Sequence, residues 1–471
     1  MTQKNLIVTK LKCEYHKNPI GIDVLKPRIS WQIKSDNRNV MQTAYHLQVA
    51  KNKSFTDLIW DTGKIKSDQS IHIKYEGPAL ESKARYYYRV KVWDNKGNES
   101  SWSNVNYWEM GLLNANEWIA DWITPNIEKN KIQDDPSPML RKTFSVKSGI
   151  KSARIYITSL GLYLLKLNGT RVGEYYFTPG WTSYNKRLQY QIYDVTDKIC
   201  EGDNTLGVIL GNGWYKGDIV KKGHRRPYGD RLALLFQMHI CYRDGSEEII
   251  TSDNKWKTAY GPIRKSEIFY GEKYDARLEK ENWSQINYND TNWYDVSLIE
   301  SPKEILVAQV NEPVKKIQEI KPADLIQTPA GETVLDMGQN MVGWVQFEVA
   351  GKKGEKVVLK HAEVLDREGN FYTDNLRNAE QRIEYILKGE GTEVYEPNFS
   401  FQGFRYVKVE KYPGEIKLDN FKGIVLHSAM EPTGDFKCSD ELVNQLQHNI
   451  TWGQKGNFFD IPTDCPQRDE R

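Results

Sequence analysis

The sequence is poor in cysteine, has no long apolar run, and has no excess of charge of one sign. Five cysteines, Cys13, Cys200, Cys241, Cys438 and Cys465, are scattered over 471 residues and fall at no metal-ligand spacing. That argues against a disulfide scaffold and against a structural zinc site. The opening residues, Met-Thr-Gln-Lys-Asn-Leu, contain no apolar core of a signal peptide, and no later run approaches the eighteen or so apolar residues of a membrane span. A cytoplasmic protein with no membrane partner is the expectation, with export by another route left open. The 65 basic residues nearly cancel the 63 acidic ones, so no long-range field steers the chain to nucleic acid. Glycines are frequent but match neither the GxGxxG nor the GxxxxGK[ST] spacing, so no nucleotide cradle is supported.

Aromatics with a polar edge are abundant. The chain has 27 tyrosines and 14 tryptophans against 14 phenylalanines. Such rings suit both sugar faces and plain sandwich cores. The length implies about three domains.

Residues 1–108 read as short strands, with Tyr86, Tyr88, Val90 and Val92 of Arg85–Trp93 on one face and a turn at Asp94-Asn-Lys-Gly97. The size is that of a fibronectin- or immunoglobulin-like β-sandwich. Residues 109–138 read as a linker, kept extended by Pro125, Pro136 and Pro138 and pinned by Trp118 and Trp122. Residues 139–300 form a second all-β unit, of jelly-roll type, with a tight Asn168-Gly169 turn. In it, Trp181 of a Pro-Gly-Trp corner and Trp214 of a glycine-flanked Trp-Tyr pair either stack on a sugar, with Asn168, Asn212 or Arg187 taking hydroxyls, or simply pack against the sheet. His224 sits in a basic loop and reads as solvated. Residues 301–430 read as a third β-sandwich, with a turn at Gly338–Gly343. His361 and Glu363 leave one strand on the same side, as a local hydrogen-bonded pair or a fragment of a metal site.

Past Pro432 the period changes. Ser439 is a plausible cap, and Val443, Leu446 and Ile450 recur at helical spacing in the first convincing helix of the chain. A single stripe of this length needs something to pack against. Either the helix lies on the third sandwich, or it opens a helical domain, beginning near 435, of which the sequence holds only the start. The second alternative is the expectation carried forward.

The last stretch, 457–471, concentrates Asp460, Asp464, Asp469 and Glu470 with Arg468 and Arg471 around Pro462 and Pro466. Acids on a loop of fixed shape, beside an arginine able to grip a carboxylate in two places, are the materials of acid–base chemistry.

These residues support a resemblance. Asp464-Cys-Pro-Gln-Arg-Asp-Glu-Arg471 resembles the signature of bacterial α-L-rhamnosidases of glycoside hydrolase family 78, although the Gly-Trp and further Asp that continue it there are not in this sequence. Thr178–Tyr184, Leu210–Tyr215, Asp336-Met-Gly-Gln-Asn340, His361-Ala-Glu-Val364, Tyr372–Arg377, Phe401–Tyr406 and Glu431–Asp435 also look like the family. The resemblance implies a mostly β fold, tandem β-sandwich domains followed by the first helix of a truncated (α/α)6 barrel occupying 431–471. It implies inverting hydrolysis of terminal, non-reducing α-L-rhamnose from glycosides or oligosaccharides. Glu470 would be the general acid. Asp464 would hold sugar hydroxyls or support the acid, and Arg468 would form part of the pocket wall. No position is assigned as general base, and the 471 residues alone are expected to be inactive. The 139–300 unit also resembles modules that bind rhamnose with calcium. Trp181 and Asn212 are candidates there, no complete calcium shell can be matched, and no other cofactor is expected. The competing reading is a non-catalytic carbohydrate-binding array using Trp181 or Trp214.

Overall fold

The structure, a computed structural model, describes residues 6–127, 134–219 and 226–468. It separates into two compact units, Met1–Ile119 with Leu306–Val310, and Ala120–Ile305 with Asn311–Arg471.

In the first unit the alternation foreseen in Arg85–Asp94 is complete. Every second residue, from Tyr86 to Asp94, is buried. That strand pairs with Gln42–Ala50 and with Asn106–Met110, while Leu6–Cys13, Arg28–Ser35 and Ile73–Lys74 form the facing sheet. Trp31, Leu47, Tyr88, Val90 and Trp108 of the two sheets share one core, which makes this a sandwich.

The second unit holds two further β layers. In the first of these, Pro138–Val146, Gly202–Gly211 and Leu162–Leu167 are neighbours, as are Ala233–Tyr242, Ile150–Leu160 and Leu188–Asp194. Leu165, Leu206, Ile155 and Phe236 from both groups meet in one core, so the sheet closes over itself. The stretch read as a linker contributes to it. Trp122–Pro125 is a strand paired with Tyr294–Ile299, because Trp122 and Ile123 are apolar residues that the core can absorb.

The third sheet runs from Ile263–Glu267 and Gly271–Asp275 through Arg382–Ile386, Lys356–Ala362, Gln402–Lys411, Thr333–Ala350 and Phe421–Ser428 to Val314–Ile320. Its first two strands come from the stretch before residue 300. The turn expected at Gly338–Gly343 is instead a bulge inside the continuous strand Thr333–Ala350, where pairing with Gln402–Lys411 shifts register between Asp336 and Met341. Two glycines with positive φ absorb the irregularity, Gly338 at +71° and Gly343 at +148°, and a Cβ on Gly343 would meet the Ile424 carbonyl oxygen at 1.9 Å.

The described residues contain two α-helices, the single turn Gly213–Lys216 and Glu441–Gly456. Neither is long and apolar enough to cross a membrane. The longer helix is capped by Asp440, one residue after the expected Ser439; its carboxylate accepts from the amides of Leu442 (2.9 Å) and Val443 (3.3 Å). The helix touches the third sandwich through Trp452 and through Gly456, whose position lies beside Val342. The apolar stripe read from the sequence faces outward, with Leu446 56% and Ile450 54% exposed. Mostly β, with sandwiches leading into one helix, is therefore the architecture.

Candidate functional site

The loop after the helix is set from both ends by packing. Phe458–Phe459 and Ile461–Pro462 form a two-residue ladder with Asp460 at the turn, in the left-handed region at φ +69°. Phe459 is fully buried, stacked on Phe401 with ring centroids 3.8 Å apart and met edge-on by Phe177 at 4.8 Å. Asp460 itself is 9% exposed. Its Oδ2 accepts from the Trp181 amide (2.6 Å), its Oδ1 from Asn311 Nδ2 (2.9 Å), and its own amide donates to Ser428 Oγ (3.0 Å). Gly180 exists to let that carboxylate approach, since a Cβ there would lie 2.6 Å from Asp460 Oδ1. Of the loop's acids, then, Asp460 is a structural clamp between the loop and the second β layer.

Further along, Pro466–Arg468 makes one 3-10 turn lying against Gln402–Lys411. The approach is so close that a Cβ on Gly403 would meet the Gln467 amide nitrogen at 2.7 Å. Arg468 Nη1 donates to the Asn375 carbonyl (3.0 Å), tying the loop to the polar stretch 372–377. Asp464 is exposed and accepts from the Cys465 thiol (3.0 Å).

Asp464 lines a cleft of about 470 Å³ together with Asn340, Glu363, Trp452, Asn457 and Gln467. Glu363 is a member that reading the residues singly did not assign to the site. Burial pushes its carboxyl above the usual range, against the opposing pull of the Asn340 amide (3.2 Å) and of the Arg468 guanidinium. The signal for it was present, because the stretches 336–340 and 361–364 were both among the family-like segments and both end at this cleft. His361 turns the other way. It is fully buried, edge-on to Phe404 at 4.8 Å, and donates Nδ1–H to the Gln381 carbonyl (2.8 Å), so it forms no pair with Glu363. Burial lowers its pKa to about 4, which leaves it neutral.

The structure thus brings Asp464 and Arg468 onto one clamped loop. Glu470, with Asp469 and Arg471, lies outside the described residues, as does His224. The accessory candidates are placed elsewhere, in the second β layer. Trp214 is 1% exposed and stacked on Trp181 at 5.9 Å and 7°, so it packs and only Trp181 keeps partial access to solvent. Asn212 is buried too, and donates Nδ2–H to both Asp135 Oδ2 (2.9 Å) and Glu267 Oε1 (3.0 Å). Lys216 Nζ already sits on Asp135 (2.6 Å), supplying the positive charge a cation would bring. Amide and ammonium donors turned onto the carboxylates do not fit an oxygen shell for calcium. Among the described residues no group of three or more His, Cys, Asp or Glu is arranged to hold a metal.

β-Sandwiches thus lead into a capped helix and a carboxylate-bearing loop beside a polar cleft. The chain is homologous to the N-terminal domains of bacterial α-L-rhamnosidases of glycoside hydrolase family 78 and belongs to that family. Four family models match in succession: a Rha78A-like N-terminal immunoglobulin domain over 8–114, an α-L-rhamnosidase N-terminal domain over 148–318, a bacterial α-L-rhamnosidase concanavalin-like domain over 326–427, and a bacterial α-L-rhamnosidase six-hairpin glycosidase domain over 431–471. The chain is similar to an α-L-rhamnosidase of Formosa agariphila, 38% identical over 97% of this chain and 51% of the relative. Among solved structures it is similar to the Streptomyces avermitilis α-L-rhamnosidase complexed with L-rhamnose, at TM-score 0.93 and 31% identity, covering 99% of this chain and 62% of that one. The Aspergillus terreus α-L-rhamnosidase matches at TM-score 0.93 and 39% identity, covering 99% and 54%. The chain spans between 51% and 62% of the length of the curated relatives it matches.

Proposed function

We propose that the protein hydrolyses terminal, non-reducing α-L-rhamnose from glycosides or oligosaccharides with inversion at the anomeric carbon. The observation that carries this reading is the loop 457–468, clamped by Asp460 and Phe459 so that Asp464 faces a polar cleft, within a stretch that matches the glycosidase domain of the family. In this proposal Glu470 protonates the leaving-group oxygen. Asp464 holds sugar hydroxyls or supports the acid, and Arg468 forms part of the wall.

Inversion needs a second carboxyl group roughly 6.5–9.5 Å from the acid, with water between it and the anomeric carbon. Glu470 must also stay protonated near neutral pH, through burial or a neighbouring carboxylate such as Asp464 or Asp469. We assign no residue of this sequence as that base, and propose that the 471 residues taken alone do not turn over substrate.

Two assays test this. The 471-residue chain is incubated with an aryl α-L-rhamnoside; turnover that Glu470→Gln abolishes would overturn the inactivity of the isolated residues. The gene is then expressed with whatever coding sequence follows codon 471. That product should release rhamnose with the β-anomer appearing first, and Glu470→Gln should lower the rate by about a hundredfold or more. A Glu470→Gln product within a few-fold of the parent would remove the assigned acid.

A further inference from the structure

A second groove, sharing no lining residue with the cleft at Asp464, crosses the second unit where Pro138–Val146 and Lys257–Tyr260 pass into Ile263–Glu267. It consists of two neighbouring cavities, of about 780 Å³ and 420 Å³, with Ile127, Tyr260 and Arg264 lining both. Each is of the size that small-molecule sites occupy.

Charge distinguishes it. Among the described residues, seven lysines and arginines line the two cavities against four carboxylates, in a chain whose net charge is only +2. The carboxylates of its floor are already engaged. Asp135 holds Lys216 and Asn212, Glu267 holds Asn212 and the Asp218 amide (3.3 Å), and Asp134 lies 3.7 Å from Arg264 and 3.8 Å from Lys273. Of the seven basic residues, Arg226 and Arg231 are exposed at the rim, beside the exposed Asp230, the fourth carboxylate. The excess positive charge is therefore presented at the mouth, over a rigid floor that is internally compensated.

The smaller cavity supplies a different chemistry. Tyr260, Tyr288 and half-exposed Tyr294 line it. Tyr288 is braced by the Arg141 guanidinium over its ring (5.4 Å) and by Trp293 edge-on (5.8 Å), and Trp293 in turn stacks on Trp283 at 6.1 Å. Tyr288, braced in this way, costs little entropy on binding, and a wall of tyrosines suits the apolar face of a sugar ring. The arginines of the larger cavity suit planar, two-oxygen anions.

We propose that this groove binds an acidic oligosaccharide, its rings on Tyr260 and Tyr294 and its carboxylate or sulfate groups on Arg226 and Arg231. The site is independent of the hydrolase reading, since no residue of the catalytic loop lines it.

The test is calorimetric titration of the 471-residue chain with tetragalacturonate, a κ-carrageenan tetrasaccharide, neutral maltotetraose, and a short oligothymidylate. One or both acidic sugars should bind, and which one binds distinguishes carboxylate from sulfate recognition. Maltotetraose should bind at least about tenfold more weakly, and the acidic sugar should lose affinity as salt rises. The double variant Arg226→Ala/Arg231→Ala and the single variant Tyr294→Ala should each weaken the acidic sugar about tenfold. Both sites are exposed, and unchanged circular dichroism confirms that the variants fold. The proposal is overturned if neither acidic sugar binds, if the neutral sugar binds equally, if either variant keeps parental affinity, or if the oligonucleotide binds as tightly as the sugars, which would reduce the groove to a generic polyanion surface.

Discussion

Removing the Asp460 carboxylate should free the loop 457–468 while leaving the sandwiches folded. The side chain accepts two charge-assisted bonds, from the Trp181 amide at 2.6 Å and from Asn311 at 2.9 Å. Bonds to a charged acceptor contribute about 1.5–3 kcal/mol each when protected. Trp181 is partly open to water, so the lower half of the combined range applies and Asp460→Ala should cost about 3 kcal/mol. A smaller conformational cost comes on top of that, because alanine is less at ease than aspartate at φ +69°. Asp460→Gly separates the two terms: it relieves φ and still deletes both bonds, so it should lose nearly as much as the alanine variant. Asp460→Asn keeps a neutral acceptor and should lose about 1 kcal/mol. The readout is amide hydrogen exchange over 458–468, where about 3 kcal/mol corresponds to roughly a hundredfold loss of protection. Protection elsewhere, in strands such as Ile150–Leu160, should be unchanged. A loop equally protected in Asp460→Ala and in the parent would show that the Phe459–Phe401 stack alone holds it, and the clamp argument would fail.

Two other outcomes follow from the same structure. His361 is buried and neutral with its pKa lowered to about 4, while an unfolded chain binds that proton near pH 6.5. Stability from this group is present above pH 6.5 and falls as pH drops towards 4, by up to about 3 kcal/mol, a slope that His361→Phe should flatten in urea titrations between pH 4 and 7. Parallel slopes in the two proteins would discard the assignment. On the helix, Leu446→Glu with Ile450→Glu should change the stability of this chain by less than about 0.5 kcal/mol while lowering its binding of a hydrophobic dye, because both side chains already face water. A loss above about 1 kcal/mol would mean that the stripe is covered.

Several features could be read from local pattern alone. Alternation in Arg85–Trp93 predicted its buried face residue by residue, since a strand with one face in the core leaves a period of two in the sequence. Helical spacing at Val443, Leu446 and Ile450 likewise announced Glu441–Gly456. Other features were out of reach for the same reason. Gly338–Gly343 has the composition of a turn, and only pairing with Gln402–Lys411 on one side and Phe421–Ser428 on the other makes it a bulge in an unbroken strand. Trp122 and Ile123 sit in a proline-rich stretch that reads as a linker until Tyr294–Ile299, far along the chain, comes alongside.

The division is sharpest among the acids of the last loop. By itself the sequence determined their number, the rigid prolines between them, and the family to which the stretch Asp464–Arg471 is similar, because a motif is a local property. Which acid does what was decided in three dimensions. Asp460 and Asp464 are four residues apart with the same side chain. One is buried against the Trp181 amide, 279 residues away, and the other is exposed at a cleft whose second carboxyl comes from Glu363. A carboxylate's role follows from its desolvation and its donors, and the chain brings those from distant positions only once it has folded.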